Sequence, residues 1–86
     1  MDRKLFIAGA WVDAQDGKRA EIPDPATGDR VGSSSIAARA DLDHAVSAAS
    51  KALPGWSALH ADERAKILHR AADLVAERAG AIADIA

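Results

Sequence analysis

Three histidines, His44, His60 and His69, are the residues of this chain best suited to bind a metal or to act as bases. His44 follows Asp41 by three positions, so on a helix its imidazole and the carboxylate would share one side. A zinc site needs three or four protein ligands, however, and His44 has no second histidine four residues away. His60 and His69 have no serine at a spacing typical of a nucleophile and its base. We therefore predict that His44 and His69 lie on polar helix surfaces and that His60 lies at or near the cap of the second helix.

Carboxylates and glycines give no catalytic site either. Glu21, Glu63 and Glu77 have no apolar neighbours that would raise a carboxyl pKa for acid–base work, so we predict surface positions. Gly28 and Gly32 match neither a dinucleotide-binding nor a Walker A pattern and are explained by turns. With no cysteine in the chain, thiolate chemistry and disulfides are excluded. The sequence predicts no catalytic and no cofactor-binding residue in this segment.

The composition limits what these residues can build. The chain has 86 residues, room for one small domain, and 49% are hydrophobic, but 22 of them are alanine. Few large apolar side chains remain for a core, so we expect marginal stability. A net charge of −2 without a run of like charge argues against a nucleic-acid or membrane surface. No apolar run approaches the ~20 residues of a membrane span, and we predict a cytoplasmic location.

Residues 1–37 have the pattern of strands and hairpins. Short apolar runs on both sides of Ala8-Gly9 predict a tight hairpin in which Gly9 takes a positive φ. Residues 19–22 predict another strand that Pro23 ends, because proline cannot donate to a ladder. A turn is predicted at residues 26–29, and a weak strand at residues 33–36.

Residues 38–86 change to helical spacing. We predict one helix from Ala38 that ends at Pro54-Gly55, and a second from near Ala61 that Gly80 interrupts. Each has an apolar stripe, formed by Leu42, Ala45, Val46, Ala49 and Leu53 in the first helix and by Leu68, Ala71, Ala72, Val75, Ala79, Ile82 and Ala86 in the second. Such stripes are typical of core, with a partner groove as the alternative.

Six segments occur in the order and at the spacing found at the start of one enzyme family. They are residues 5–14, 24–28, 41–46 with the alanines that follow, Trp56, 63–68 and 71–78. In these segments the chain resembles the N-terminal part of the aldehyde dehydrogenase superfamily. The resemblance implies an α/β parent enzyme in which residues 1–86 are an incomplete domain: hairpins in 1–37, then two amphipathic helices in 38–86.

The resemblance also implies a function for the parent enzyme. Family members use NAD or NADP to oxidise an aldehyde to a carboxylic acid, through a cysteine thiolate, a glutamate and cofactor loops that all lie beyond this segment. We therefore expect these 86 residues to be inactive alone and to bind no cofactor. The expected partners are the remainder of the enzyme chain and, at full length, identical subunits in a dimer or tetramer.

One binding feature of the family maps onto this sequence. Many members hold Na⁺ or K⁺ through main-chain carbonyls of the two residues before an Asn/Asp-Pro pair, and these positions are Ile22 and Pro23 here. Carbonyl oxygens suit a hard cation. Because the other ligands would lie beyond residue 86, we expect at most half a site.

A second hypothesis remains open. The last helix has no stop signal after Gly80, which predicts a chain that continues and favours a fragment of the enzyme. The alternative is a small non-catalytic protein that binds a partner through its helical stripes.

Overall fold

A computed structural model describes residues 2–85 of the chain. These residues divide into two compact units, one up to Ala52 and one from Leu53 onward. The first unit contains the strands and most of the first helix, and the second contains the remaining helical residues. Within residues 2–85, no helix is long and apolar enough to cross a membrane.

Two small sheets make up the β part of the first unit. The strands are β1 (Asp2–Arg3), β2 (Leu5–Ile7), β3 (Ala10–Val12), β4 (Arg19–Pro23) and β5 (Arg30–Ser35). Strands β2 and β3 form an antiparallel hairpin, whereas β1, β5 and β4 form a three-stranded sheet in that order. β1 runs parallel to β5 and β4 runs antiparallel to it.

The predicted hairpin at Ala8-Gly9 is confirmed. Ala8 has φ 53° and Gly9 has φ 81°, so both central residues of the turn are left-handed. Two positive φ values define the type I′ turn whose twist matches a two-residue hairpin. Glycine accepts this conformation freely, but alanine does so at a cost because its Cβ crowds the backbone. On this hairpin the Phe6 and Trp11 rings face each other with centroids 4.8 Å apart.

The other strands follow the prediction with two differences. β4 covers the predicted residues and ends at Pro23, and the turn before β5 has Gly28 at φ 77°. β5 begins at Arg30, three residues earlier than predicted. β1 was not predicted, because two charged residues have no strand pattern of their own.

The first helix, α1, spans Arg39–Ala58, so the prediction that Pro54-Gly55 ends it is wrong. Proline removes one hydrogen bond from a helix interior, but the residues after it keep their own donors. The end of α1 is instead fixed by Arg64 from the next helix. Its Nη1 donates to the carbonyl of Leu59 at 2.7 Å and to that of Ser57 at 3.3 Å, and so satisfies carbonyls that a helix end leaves open.

The second predicted helix is divided into α2 (Ala61–Glu77) and α3 (Ala79–Ile85). The described residues therefore contain three helices rather than two, and the break lies at Arg78, not at Gly80. Arg78 has φ −104° and ψ 15°, which are not helical values, so α2 ends there. Its N–H still donates to the carbonyl of Leu74. The last residue of the predicted stripe, Ala86, lies outside the described residues.

Little of the chain is buried. The buried residues include Ile7, Ala14, Ser33 and Asp41, whereas the large residues of both helical stripes are exposed. The prediction that these stripes form core is wrong for this chain. A groove lies between the β2–β3 hairpin and α1, and the α1 residues that line it are alanines. Small side chains are the ones that fit where the helix and the hairpin lie close together.

Candidate functional site

The most constrained polar group among the described residues is the carboxylate of Asp41. The side chain is 7% exposed, although it belongs to the first turn of α1. Its Oδ2 accepts the Ala38 N–H at 2.8 Å, just before the helix begins. The Gln15 N–H lies 3.1 Å from both carboxylate oxygens, and Gln15 is 26 positions away in the loop after β3.

This arrangement replaces the side-chain cap that the sequence lacks. Ala38 has no side chain that could accept a hydrogen bond, but the Asp41 carboxylate reaches back to the Ala38 N–H, as the acidic residue of a capping box does. A negative charge here also suits the positive end of the helix dipole. Asp41 therefore holds the start of α1 against the loop at Gln15, which is a structural role and not a catalytic one.

A second polar cluster covers one face of the three-stranded sheet. The Arg30 guanidinium contacts Glu21 of β4 and, at 2.9 Å, the Asp2 carboxylate of β1. The Ser33 hydroxyl donates to Asp2 Oδ1 at 3.0 Å. Arg19 adds hydrogen bonds from Nε to Ser33 Oγ and from Nη2 to the Arg3 carbonyl. Side chains of all three strands are thus linked across the sheet.

The charges of this cluster shift two pKa values. The hydrogen bond from Ser33 lowers the pKa of the Asp2 carboxyl, and the nearby Arg30 lowers it further. The hydrogen bond and charge of Glu21 raise the pKa of Arg30. Both shifts favour the charged forms of Asp2 and Arg30 and so support the ion pair between them.

A β-bulge brings Arg30 into this cluster. Ile22 lies opposite Gly32, but the next residue of β4, Pro23, lies opposite Arg30, so Val31 is an extra residue on β5. Side chains alternate between the faces of a sheet, and one extra residue reverses the alternation beyond it. Arg30 therefore shares the face of Glu21 instead of pointing to the opposite face.

The predicted histidine positions form no common site. No group of three or more His, Cys, Asp or Glu in residues 2–85 could hold a metal ion. His44, His60 and His69 are all exposed, and His60 lies at the predicted cap position before α2. His60 precedes α2 with an extended backbone but makes no side-chain cap. The Asp41 carboxylate near His44 in sequence is used by the backbone donors instead.

The predicted cation ligands lie at the end of β4. Ile22 is opposite Gly32 and Pro23 is opposite Arg30, at the bulge. The chain then turns immediately, with the Gly28 N–H bonded to the Asp24 carbonyl at 2.7 Å. The Ile22 and Pro23 carbonyls thus belong to adjacent residues at a strand end, where a cation held by main-chain oxygens remains a prediction.

Open grooves border α1. One has a volume of about 600 Å³ and lies between the Ala8-Gly9 turn and the helix side that carries His44, Ser47 and Lys51. Alanine forms its floor, and no carboxylate is among the residues that line it. The groove offers surface for packing rather than a place for a reaction.

Comparisons with known proteins identify one enzyme family. The sequence model of the aldehyde dehydrogenase family matches residues 11–86. The chain is 46% identical over 81 residues to glutarate-semialdehyde dehydrogenase of Pseudomonas aeruginosa, an alignment that covers 88% of this chain and 17% of that enzyme. It is 41% identical over 75 residues to D-glyceraldehyde dehydrogenase (NADP(+)) of Thermoplasma acidophilum, an alignment that covers 87% of this chain and 15% of that enzyme.

A solved structure has the same fold. The crystal structure of PnpE in complex with nicotinamide adenine dinucleotide matches with a TM-score of 0.86 and 40% identity, over 91% of this chain and 16% of that one. The chain belongs to the aldehyde dehydrogenase family, as the sequence resemblance predicted. It spans about a sixth of the length of these relatives and has the α/β character expected of their N-terminal segment.

Sequence reasoning missed both polar clusters. A signal for the first existed, because an acidic residue three positions after a candidate cap is half of a capping box. From the sequence, Asp41 was considered only as a possible metal ligand beside His44. For the cluster on the sheet no local signal existed, since Asp2 and Arg30 are 28 positions apart.

Proposed function

We propose that this chain is the N-terminal segment of an NAD(P)-dependent aldehyde dehydrogenase that oxidises an aldehyde to a carboxylic acid. The family match over residues 11–86 supports the proposal most directly. Within that enzyme the segment supplies structure: it has no cysteine for the thiolate, and its polar clusters hold strands and helix together. Alone, the 86 residues are inactive and bind no cofactor.

The cofactor of the complete enzyme is NAD or NADP. One relative is named for NADP(+), and the similar solved structure contains nicotinamide adenine dinucleotide. Cofactor contacts come from the remainder of the enzyme chain, the first partner of this segment. The complete enzyme is a cytoplasmic homo-oligomer, a dimer or a tetramer.

The cation site belongs to the same proposal. In the complete enzyme the carbonyls of Ile22 and Pro23 hold Na⁺ or K⁺ together with oxygens from beyond this segment. The cation would stabilise the strand end of β4 and take no part in the reaction. The test is the melting temperature of the complete enzyme in NaCl, KCl and tetramethylammonium chloride at equal ionic strength. We expect a higher value in NaCl or KCl, and equal values would contradict the cation site.

A chimera tests the proposed function. In it, this chain replaces the matching segment of the Pseudomonas aeruginosa enzyme to which it is 46% identical. We expect the purified chimera to reduce NAD⁺ or NADP⁺ with glutarate semialdehyde, the aldehyde in that relative's name. The isolated 86-residue chain should give no reduction with either cofactor.

The control is the same enzyme with the segment deleted, which should be inactive because nothing replaces the missing packing surface. Reduced cofactor formed by the isolated chain would contradict the assignment of a structural role. A chimera that is folded but inactive would contradict the assignment to a dehydrogenase of this kind.

A further inference from the structure

The loop between β3 and β4 contains the one Asp-Gly pair of the sequence, Asp16-Gly17. In such a pair the amide nitrogen of the glycine can attack the carboxyl carbon of the aspartate, because no side chain shields that nitrogen. Asparagine, which reacts in the same way, is absent from the sequence. Asp16 and Gly17 are both exposed, and a Cβ built on Gly17 would meet nothing within 4 Å. The surroundings of this pair therefore leave room for the reaction.

The reaction is an isomerisation that needs only water. The Gly17 nitrogen forms a bond to Asp16 Cγ, and the carboxyl hydroxyl leaves with the amide proton as water. Water then opens the five-membered imide. Attack at the main-chain carbonyl carbon of Asp16 breaks its bond to the Gly17 nitrogen and gives isoaspartate, whereas attack at Cγ restores aspartate. Nothing is oxidised or reduced, and isoaspartate has the mass of the residue it replaces.

Hydrogen bonds in the folded loop oppose this attack. The Gly17 N–H donates to the Ala14 carbonyl at 2.9 Å, so the reacting amide is held in a turn. Asp16 Oδ1 accepts the Lys18 N–H at 3.0 Å, so the carboxyl group is held by the residue after the glycine. The attack must bring Asp16 Cγ to the Gly17 nitrogen and release the proton of that nitrogen. The loop therefore has to open before the ring can close.

Both ends of the loop are fixed by other parts of the first unit. At one end, the Gln15 N–H lies 3.1 Å from both oxygens of the Asp41 carboxylate. At the other end, the Lys18 carbonyl accepts the Ile36 N–H at 2.9 Å. Such contacts determine how often a loop opens. We propose that Asp16 is a site of isoaspartate formation and that the contact between Asp41 and Gln15 sets the rate. This inference goes beyond the proposed function, since it involves no substrate or cofactor.

The test follows isoaspartate in the complete enzyme during incubation at constant pH and temperature. Trypsin releases residues 5–18 as one peptide, which contains both Asp13 and Asp16. Electron-transfer fragmentation locates isoaspartate within this peptide. Asp13 is an internal control, because it is also exposed but is followed by alanine. A synthetic peptide of residues 5–18 gives the rates without the fold.

Three substitutions separate the chemistry from the fold. Asp16→Glu should abolish the signal at this position, because glutamate would have to close a larger ring. Asp41→Ala removes the acceptor of the Gln15 N–H. Asp43→Ala removes an exposed carboxylate of the same helix and is the matched control. If circular dichroism shows that Asp41→Ala does not fold, Asp41→Asn takes its place, because the amide keeps one acceptor oxygen.

We expect isoaspartate to form faster at Asp16 than at Asp13 in the peptide. In the folded enzyme the rate at Asp16 should be lower than in the peptide by about fivefold or more, the factor that corresponds to one net hydrogen bond. Asp41→Ala should raise the rate in the enzyme by roughly threefold or more, because the loop then opens more often. Asp43→Ala should leave the rate unchanged.

Four results would overturn the proposal. Equal rates at Asp16 and Asp13 in the peptide would mean that the Asp-Gly pair is not a preferred site. A signal that persists in Asp16→Glu would come from another residue. Equal rates at Asp16 in the folded enzyme and in the peptide would mean that the fold does not restrain the loop. Equal rates in Asp41→Ala and Asp43→Ala would mean that the Asp41 contact does not control the reaction.

Discussion

Replacing Asp41 by alanine should destabilise the chain more than any other single loss of a carboxylate. The carboxylate accepts two backbone N–H groups, from Ala38 at 2.8 Å and from Gln15 at 3.1 Å. Hydrogen bonds to a charged group contribute about 1.5–3 kcal/mol each, and a donor left without an acceptor loses that contribution. Because both hydrogen bonds are only partly buried, we use the lower end of this range for each bond. We therefore expect Asp41→Ala to lower the free energy of unfolding by about 3 kcal/mol.

Asp41→Asn separates charge from shape. The amide keeps one acceptor oxygen but turns an N–H₂ group toward the second donor, and the favourable interaction with the helix dipole is lost. We expect Asp41→Asn to lower the free energy of unfolding by about 2 kcal/mol, which is less than the effect of Asp41→Ala. Urea unfolding followed by circular dichroism measures these free energies, and the combined fluorescence of Trp11 and Trp56 reports whether the hairpin and α1 unfold in the same transition.

Asp43→Ala is the matched control. Asp43 is two positions away in the same helix, is exposed, and pairs with Arg39 at 3.3 Å as an i,i+4 surface pair. Such pairs contribute a few tenths of a kcal/mol. Equal destabilisation by Asp41→Ala and Asp43→Ala would refute the reasoning, because burial and the two backbone donors would then have no effect.

Three further changes test other contacts. Ala8→Asn should raise the free energy of unfolding by about 0.5–1 kcal/mol in urea, because asparagine tolerates a positive φ better than alanine. The pKa of Asp2 is lowered in the folded chain, so its stabilising effect is complete above the ordinary value of 3.8 and is lost as the pH falls through the lower folded value. Asp2→Asn should therefore weaken the decrease of stability between roughly pH 5 and pH 2, measured by urea titration at each pH. Arg64→Met should cost about 1–2 kcal/mol by removing the bond to the Leu59 carbonyl, with helix content as the readout.

Each of these has an outcome that would count against it. An unchanged or lower stability of Ala8→Asn would mean that the turn does not strain alanine. An acid transition that is the same with and without Asp2 would leave the lowered pKa without effect on folding. For Arg64, the substitution Arg70→Met is the control, since Arg70 makes only an exposed ion pair with Glu77. Equal loss of helix content in these two variants would mean that the carbonyl contacts of Arg64 do not hold the end of α1.

The sequence predicted turns and strand ends correctly where a single glycine or proline decides the backbone conformation. Gly9 and Gly28 marked turns because positive φ values favour glycine, and both have φ above +75°. The hairpin and β4 follow from these turns and from Pro23. The start of α2 at Ala61 agrees with the predicted start near that residue.

Positions that depend on distant partners could not be predicted in the same way. Pro54 is a reliable stop only when nothing downstream extends the helix, and the residue pattern does not show that the Arg64 side chain donates back to the Leu59 carbonyl. The burial of the stripes also depends on what covers them. Leu68 and Val75 have the spacing of core residues, yet spacing alone cannot tell whether the covering surface belongs to the same 86 residues.

The extra residue at Val31 makes the order of residues in β5 a poor guide to its faces. Counting by twos from Ser33 assigns Arg30 to the wrong side of the sheet, and only the offset at Ile22/Pro23 returns it to the side of Glu21 and Asp2. The bulge, and not the identity of the residues alone, therefore decides which side of the sheet the arginine occupies. A β5 of the same length paired without the bulge would turn the arginine to the opposite side, whereas a strand shortened by Val31 would pair in regular register and keep it on the side of Glu21.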